Sequence, residues 1–366
     1  MIPFINKRGV DFSSVNNSEK GEKMKQIKLL IILLILSIST IQAKDYSNRQ
    51  DVKNFINKMV KKHHLSRYKL KQLFKEVKFQ RKVLAIFNPK YRTTTPSKQP
   101  RRHYSKHGGW DRYSKSLVGK TRVKKGVAYM RKHRSIFKPV YRKYGVPPEY
   151  ITAIIGIESY YGYNRGKFPV FDVLTTLGFE PHRRKKYFRY ELENFLKLAK
   201  QEKFNPRNVK GSYAGAIGLG QFMPSSYDAF AVDFNKDGRR SIQTTSDAIA
   251  SVANYFKKNG WRKGQTVATR VSYKGNRYHG KKTGYKHSYY RSQLKGISPK
   301  NGAWNYNGKV RLIKLDRKNY DELWYGAKNF YVITRYNHSS YYAMAVHQLA
   351  EKIKQNYKKK YGSNLR

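Results

Sequence analysis

The chain has 366 residues, with 78 lysines and arginines against 22 acids, a formal net charge of +56 and no cysteine. Without cysteine, disulfides, thiolate catalysis, cysteine-ligated zinc and cysteine-linked lipid anchors are excluded. The charge implies a polyanionic or acidic setting (nucleic acid, an anionic envelope or an acidic polymer), although basic residues are spread along the whole chain and a generally solvated basic surface accounts for most of it. The length allows two or three domains with an ample core.

Residues 1–43 read as an upstream extension and a signal peptide. Met24-Lys25-Gln26-Ile27-Lys28 is a basic start, and Leu29 to Ile38 is an apolar run too short to favour a spanning helix. Thr40-Ile41-Gln42-Ala43 offers an imperfect cleavage site, since Ile41 is not small. An uncleaved membrane anchor is the alternative. Export disfavours nucleic acid as the polyanion.

Residues 44–110 predict a helical segment and a crossing loop. Phe55, Met59 and Val60, then Leu70, Leu73 and Phe74, recur at helical spacing on either side of His63-His64-Leu65-Ser66. Residues 94–110, rich in Thr, Pro, Ser and basic residues, read as the loop. From 111 to 264 the pattern is mainly helical, broken by two glycine-rich stretches. Residues 265–335 change character: Val267–Val271, Val310–Ile313 and Phe330–Ile333 are short β-type runs, which predict a small antiparallel sheet. Residues 336–366 predict a closing helix and a basic tail. The fold class is therefore α+β, mainly α.

One acid stands out. Gly145-Val146-Pro147-Pro148-Glu149 is a helix start, with proline in the first turn and an acid at the N-terminus. Ile151, Ile154, Ile155 and Glu158 then fall at i, i+3, i+4 and i+7, on the apolar face. A carboxylate there must find a partner or hold its proton. A buried structural glutamate is the plain alternative. Further on, Gly211-Ser212-Tyr213-Ala214-Gly215-Ala216-Ile217-Gly218-Leu219-Gly220-Gln221 lets backbone approach a ligand, and Gln221 both donates and accepts hydrogen bonds. Asp233-Phe234-Asn235-Lys236-Asp237-Gly238-Arg239 is an oxygen-ligand turn. The 31 tyrosines exceed what a core needs and suit sugar faces and hydroxyls.

Glu158-Ser159-x-x-Gly162, followed by Gly218-Leu219-Gly220-Gln221-Phe222-Met223-Pro224-Ser225-Ser226, resembles the lytic transglycosylases of lysozyme-like fold. The context of Phe171 to Phe179, Arg183-Arg184 and Phe330 to Ser339 is similar to the membrane-bound lytic transglycosylase B family, over roughly residues 50–355. The resemblance implies a lysozyme-like catalytic core with a small β insertion. It also implies cleavage of the MurNAc–GlcNAc β-1,4 bond of peptidoglycan with formation of 1,6-anhydro-MurNAc, with Glu158 as the one acid and base and no cofactor for catalysis. Ser212, Gln221, Tyr113, Tyr187, Tyr255, Tyr336, Tyr342 and Asn337 match substrate-binding positions, with Tyr255 expected nearest Glu158. Arg183 and Arg184 match residues that face peptide stems. Each has a plainer alternative: turn chemistry, core packing or a solvated charge run.

The aspartate turn resembles an EF-hand loop, but its twelfth position is Thr244. The family's longer loop places the last ligand at Asp247, giving Asp233, Asn235, Asp237, the Arg239 carbonyl and Asp247. A weak structural Ca2+ or Na+ is expected, with a metal-free turn as the alternative. The implied setting is the periplasm of a Gram-negative bacterium. The partners would be glycan strands and peptide stems, other cell-wall enzymes and an anionic envelope, with no nucleic acid, and the protein a monomer. A hydrolytic muramidase and a non-catalytic peptidoglycan-binding protein are the rival readings.

Overall fold

Apolar residues at helical spacing make Gln50–His63 the first helix, α1, which buries Val52, Phe55, Ile56 and Met59. This is seen in a computed structural model that describes residues 43–92, 107–275, 278–363 and Leu365. The expected signal peptide and upstream extension, residues 1–43, lie almost wholly outside the described residues, as does most of the expected 94–110 loop. α1 stops because His64 turns left-handed at φ 52°, and Ser66 caps the next helix, α2 (Arg67–Lys75), by accepting from the Lys69 amide. A short pair, β1 (Ala43–Lys44) with β2 (Val77–Lys78), and α3 (Arg81–Phe87) complete this part.

In a chain so poor in acids, two carboxylates of the middle region each gather several cations. Glu180 accepts from Lys44 at 3.0 Å, Arg49 at 3.0 Å and the Tyr46 hydroxyl at 2.7 Å. Glu193 takes Lys58, Lys62 and His63. Both acids belong to the middle of the chain, so they clip the N-terminal helices onto it. The main core is continuous across that seam, from Phe55 and Phe74 to Phe171 and Phe179.

The middle holds α4 (Gly109–Leu117), α5 (Lys120–Lys132), α6 (Arg134–Tyr144), α7 (Pro148–Ser159), α8 (Val170–Phe179), α9 (Lys185–Gln201), α10 (Pro224–Phe230) and α11 (Thr245–Lys258). A two-residue pair, β3 (Phe168–Pro169) with β4 (Lys210–Gly211), sits among them. α7 is the central helix. The sequence predicts one apolar face for it, but Pro148 to Gly156 are buried without a break. Helices pack around its whole circumference, so its polar residues also face protein.

Beyond α11 come β5 (Ala268–Tyr273), β6 (Ile297–Pro299), β7 (Arg311–Asp316) and β8 (Asp321–Gly326), in the antiparallel order β6-β5-β8-β7. Alternation sorts the sheet's two faces. Val310 and Leu312 join a small cluster with Val271, Ile297 and Leu323, while Ile313 and Leu315 enter the main core. The third predicted β run is not a strand. Phe330–Ile333 lies in α12 (Lys328–Tyr336), where Asn329, Phe330, Val332, Ile333 and Thr334 are all buried. A short, wholly buried run of β-branched and aromatic residues carries no period that distinguishes helix from strand. α13 (Ser340–Tyr361) closes the chain against α5 and α7. No described helix is long and apolar enough to cross a membrane.

Candidate active site

α7 delivers Glu158 one residue before its end. The chain then makes three left-handed residues in succession, Tyr160, Tyr161 and Gly162. Two non-glycine residues at positive φ are costly and must be held. Ser159 holds them: its hydroxyl donates to the Ile155 carbonyl and accepts from the Gly162 amide, and its carbonyl accepts from the Asn164 amide at 2.8 Å. Tyr161 folds back onto Gly156, where a Cβ would sit 2.6 Å from the ring, and donates to the Arg122 carbonyl. The Arg122 guanidinium bonds the Gly156 carbonyl in return. The Glu-Ser-x-x-Gly spacing is thus a brace that fixes where the carboxyl emerges.

The Glu158 carboxylate accepts a 2.6 Å hydrogen bond from the Tyr342 hydroxyl, at the start of α13. Burial pushes its pKa up to about 7, with the Tyr342 bond opposing that rise. Among the described residues no second carboxylate contributes to the shift. Asp172 is ion-paired with Arg207 at 3.0 Å, and Glu149, also close in the chain, lines a separate cavity. The phenols of Tyr113, Tyr336 and Tyr342 are raised first by burial and then by the Glu158 charge, which places all three around it.

Tyr336 stacks nearly parallel on Tyr342 at 6.4 Å and donates to the Gly220 carbonyl. Tyr255 lies one ring further, 4.8 Å from Tyr336, and its hydroxyl is committed to the Arg335 carbonyl. The residue that bonds the carboxylate is therefore Tyr342, where the sequence favours Tyr255. Tyr255 supports it through Tyr336.

The glycine-rich stretch is fastened to this cluster. The Gln221 amide nitrogen, from a residue at φ 49°, donates to the Gly218 carbonyl at 2.8 Å and the Arg165 carbonyl at 3.2 Å. Ser212 accepts from the Ala214 and Ala216 amides and shapes the turn. Gly166 and Gly211 let two backbones touch, since a Cβ on Gly166 would lie 2.0 Å from the Gly211 carbonyl.

A family described as the transglycosylase SLT domain matches residues 47–351. The chain is 41% identical to membrane-bound lytic murein transglycosylase B of Escherichia coli K12 over 313 residues, 84% of each chain. It belongs to the lytic transglycosylase family. The Escherichia coli lytic transglycosylase SLT35, solved in complex with bulgecin A, superposes with a TM-score of 0.77 at 38% identity, over 88% of this chain and 98% of that one. The same enzyme has been solved in complex with calcium, with the same TM-score and coverage at 39% identity. SltB3 from Pseudomonas aeruginosa, solved with NAG-anhNAM-pentapeptide, superposes with a TM-score of 0.69 at 26% identity, over 87% of this chain and 81% of that one.

The other expected site residues of this lytic transglycosylase fall into two groups. Around the start of α9, the Arg184 guanidinium sits 4.4 Å over the Tyr187 ring, while Arg183 is exposed beside it. Asn337 is exposed at the end of α12. Glu191, which the sequence does not single out, joins this stretch of α9 to the start of α10. It accepts from the Ser225 amide at 2.9 Å and hydroxyl at 2.8 Å, and burial pushes its carboxyl up. It is the acid one turn after Tyr187 on an otherwise apolar face, a signal that was available.

In the second group, Asp233, Asp237 and Asp247 bring carboxylate oxygens within 4.8 Å of one another. Asp247, in the first turn of α11, accepts from the Phe234, Asn235 and Ser241 amides. Asp233 accepts from the Asp237 and Gly238 amides, and Asn235 donates to Asp237. Hard, anionic oxygens this close to one another suit a hard cation.

Proposed function

We propose that this lytic transglycosylase cleaves the MurNAc–GlcNAc β-1,4 bond of peptidoglycan with Glu158 as its only general acid and base. The observation that carries the reading is one carboxyl raised to about 7, bonded to a tyrosine and acted on by no second acid. Near neutral pH such a group is half protonated and so equally able to give and take a proton. Protonated Glu158 gives its proton to the glycosidic oxygen as the C1–O bond breaks. The resulting carboxylate takes the proton of the MurNAc C6 hydroxyl, whose oxygen bonds C1 and closes the 1,6-anhydro ring. The proton count returns to its start, and no water is consumed. Glycosidases that activate water or form a glycosyl-enzyme need a second carboxylate, which separates them from this site.

Tyr342 stabilises the carboxylate between the two transfers. Tyr113, Tyr336 and Asn337 would frame the sugars, with Tyr255 supporting Tyr336 from behind. Ser212 and Gln221 act by holding the glycine-rich turn, and Arg183, Arg184 and Tyr187 offer guanidinium and a ring to the stem carboxylates. The catalytic unit in this reading is 111–264, completed by Tyr336 and Tyr342 from the C-terminal part. Digestion of purified sacculi tests the chemistry. Products about 18 Da lighter than hydrolysis products are expected, because water is not added. Reducing ends would make the protein a muramidase, and intact binding without products a recognition module.

Tyr342→Phe removes the bond that lowers the Glu158 pKa. The alkaline limb of the pH–rate profile should move to higher pH, and the maximal rate should fall about tenfold, the worth of a hydrogen bond to a charged group. An unchanged alkaline limb would exclude this role.

The aspartate loop is proposed to hold Ca2+ through Asp233, Asn235, Asp237, the Arg239 carbonyl and Asp247, with Na+ as the weaker occupant. The ion is structural and takes no part in the proton transfers. Calcium at a hundredfold excess over its dissociation constant should stabilise the fold by about 2.7 kcal/mol, read as a rise in Tm. The rise should vanish in Asp237→Ala and should not appear with sodium at equal concentration. Export to the periplasm by the 24–43 signal and adhesion of the basic surface to an acidic wall fit this function.

A further inference from the structure

We infer that a pocket between α5 and the turn after Glu158 is a second binding site, and that it takes an acidic saccharide: a pyranose ring bearing a carboxylate or phosphate. The cavity is about 430 Å³ and uses a different set of residues from those around Glu158. Its walls include Lys125, Lys132, His133 and Arg165, and no acid is among the described residues that line it. Two larger cavities both carry glutamates, Glu76 in one and Glu149 with Glu351 in the other. The charge of this pocket is therefore selective, beyond the basic surface that covers the molecule.

Two further observations specify the ligand. The hydroxyl of Tyr129, a buried residue of this wall, has no hydrogen-bond partner. Arg165 lines the same pocket, held by the Gly162 and Gln243 carbonyls, and its charge acts on that phenol. An unpaired hydroxyl on a basic wall offers a donor to an oxyanion. At the mouth, Tyr160 and Tyr163 lie 6.1 Å apart, and the Lys125 ammonium sits 4.4 Å from each ring. Tyr163 is 78% exposed. An open ring with a cation over it stacks on a sugar face and pairs the acidic substituent of that sugar. Burial, and then Lys132, push the His133 imidazole below its ordinary value, which favours an uncharged ring on this wall.

The test is titration of the full chain by calorimetry with D-glucuronate, glucose 6-phosphate and glucose. Binding of one or both acidic sugars, with glucose at least tenfold weaker, is expected. Preference for glucuronate would identify a carboxylate sugar as the source, and preference for glucose 6-phosphate a phosphorylated one. Lys125→Gln with Lys132→Gln should lose about tenfold in affinity, and Tyr129→Phe several-fold. The control pair Lys53→Gln with Lys61→Gln, exposed on α1, removes the same charge elsewhere and should change nothing. Equal loss in both pairs, equal binding of glucose, or no binding up to ~10 mM would overturn the proposal. None of these outcomes depends on turnover at Glu158, so the two readings fail separately.

Discussion

Glu158→Gln should abolish digestion of sacculi, lowering the rate by about three orders of magnitude, while binding to sacculi is kept. The amide preserves the shape and can still accept from Tyr342, but it neither gives nor takes a proton at C1–O or C6–OH. The same variant should also be more stable than the parent at high pH. The Glu158 pKa is raised in the folded state, so the parent's stability is fully present below the unfolded value near 4.5 and is lost as pH rises through about 7. Glutamine escapes that loss. Above pH 8 the gain should be about 3 kcal/mol, shrinking towards zero below pH 4.5, as urea unfolding at the two pH values would read. Loss of activity without this crossover would mean that the carboxyl is not desolvated as described. Residual activity above one per cent of the parent would remove Glu158 from the chemistry.

Gly166→Ala should be the most destabilising small substitution near the site, at about 4 kcal/mol. Its backbone lies at φ 91°, and the added methyl would sit 2.0 Å from the Gly211 carbonyl carbon and oxygen. Those atoms are backbone and cannot swing aside. Since Gly211 precedes Ser212 and Gln221 bonds the Arg165 carbonyl, the strain should reach the glycine-rich turn and reduce activity as well. Gly238→Ala separates the two causes. Its φ is 82°, yet nothing lies within 4 Å of the added methyl, so only the conformational cost of about 1 kcal/mol remains. Equal urea midpoints for the two variants would show that the contact between residues 166 and 211 is not close.

The catalytic candidate was legible because a carboxylate on an apolar helix face is expensive and because Glu158-Ser159-x-x-Gly162 matches a family motif. Glu158 needed only local information, and Gly162 came with the motif. The turn from Asp233 to Arg239 was legible locally, whereas Asp247 came only from the resemblance to the family's longer loop. The tyrosines were named through the resemblance, but which of them bonds the carboxyl was not legible. Tyr342 meets Glu158 across 184 residues of sequence, and nothing in the spacing of 31 tyrosines marks that pairing. Only the packing of α13 against α7 decides it. Burial on every side also removed the period that would have named the Phe330–Ile333 run a helix, and made the one-faced reading of α7 too simple. Glu191 shows the opposite case: its position one turn from Tyr187 was readable, but its bonds to Ser225 exist only in the folded chain.

The central claim is that one carboxyl, Glu158, is held near half protonation at neutral pH. Carbon-13 NMR titration of the glutamate carboxyls, compared between the parent and Glu158→Gln, measures this directly. One resonance should titrate near 7 and be missing from the variant. A Glu158 carboxyl that titrates at the ordinary value of about 4.3 would contradict the account, because a group ionised at neutral pH cannot serve as the acid of the first step.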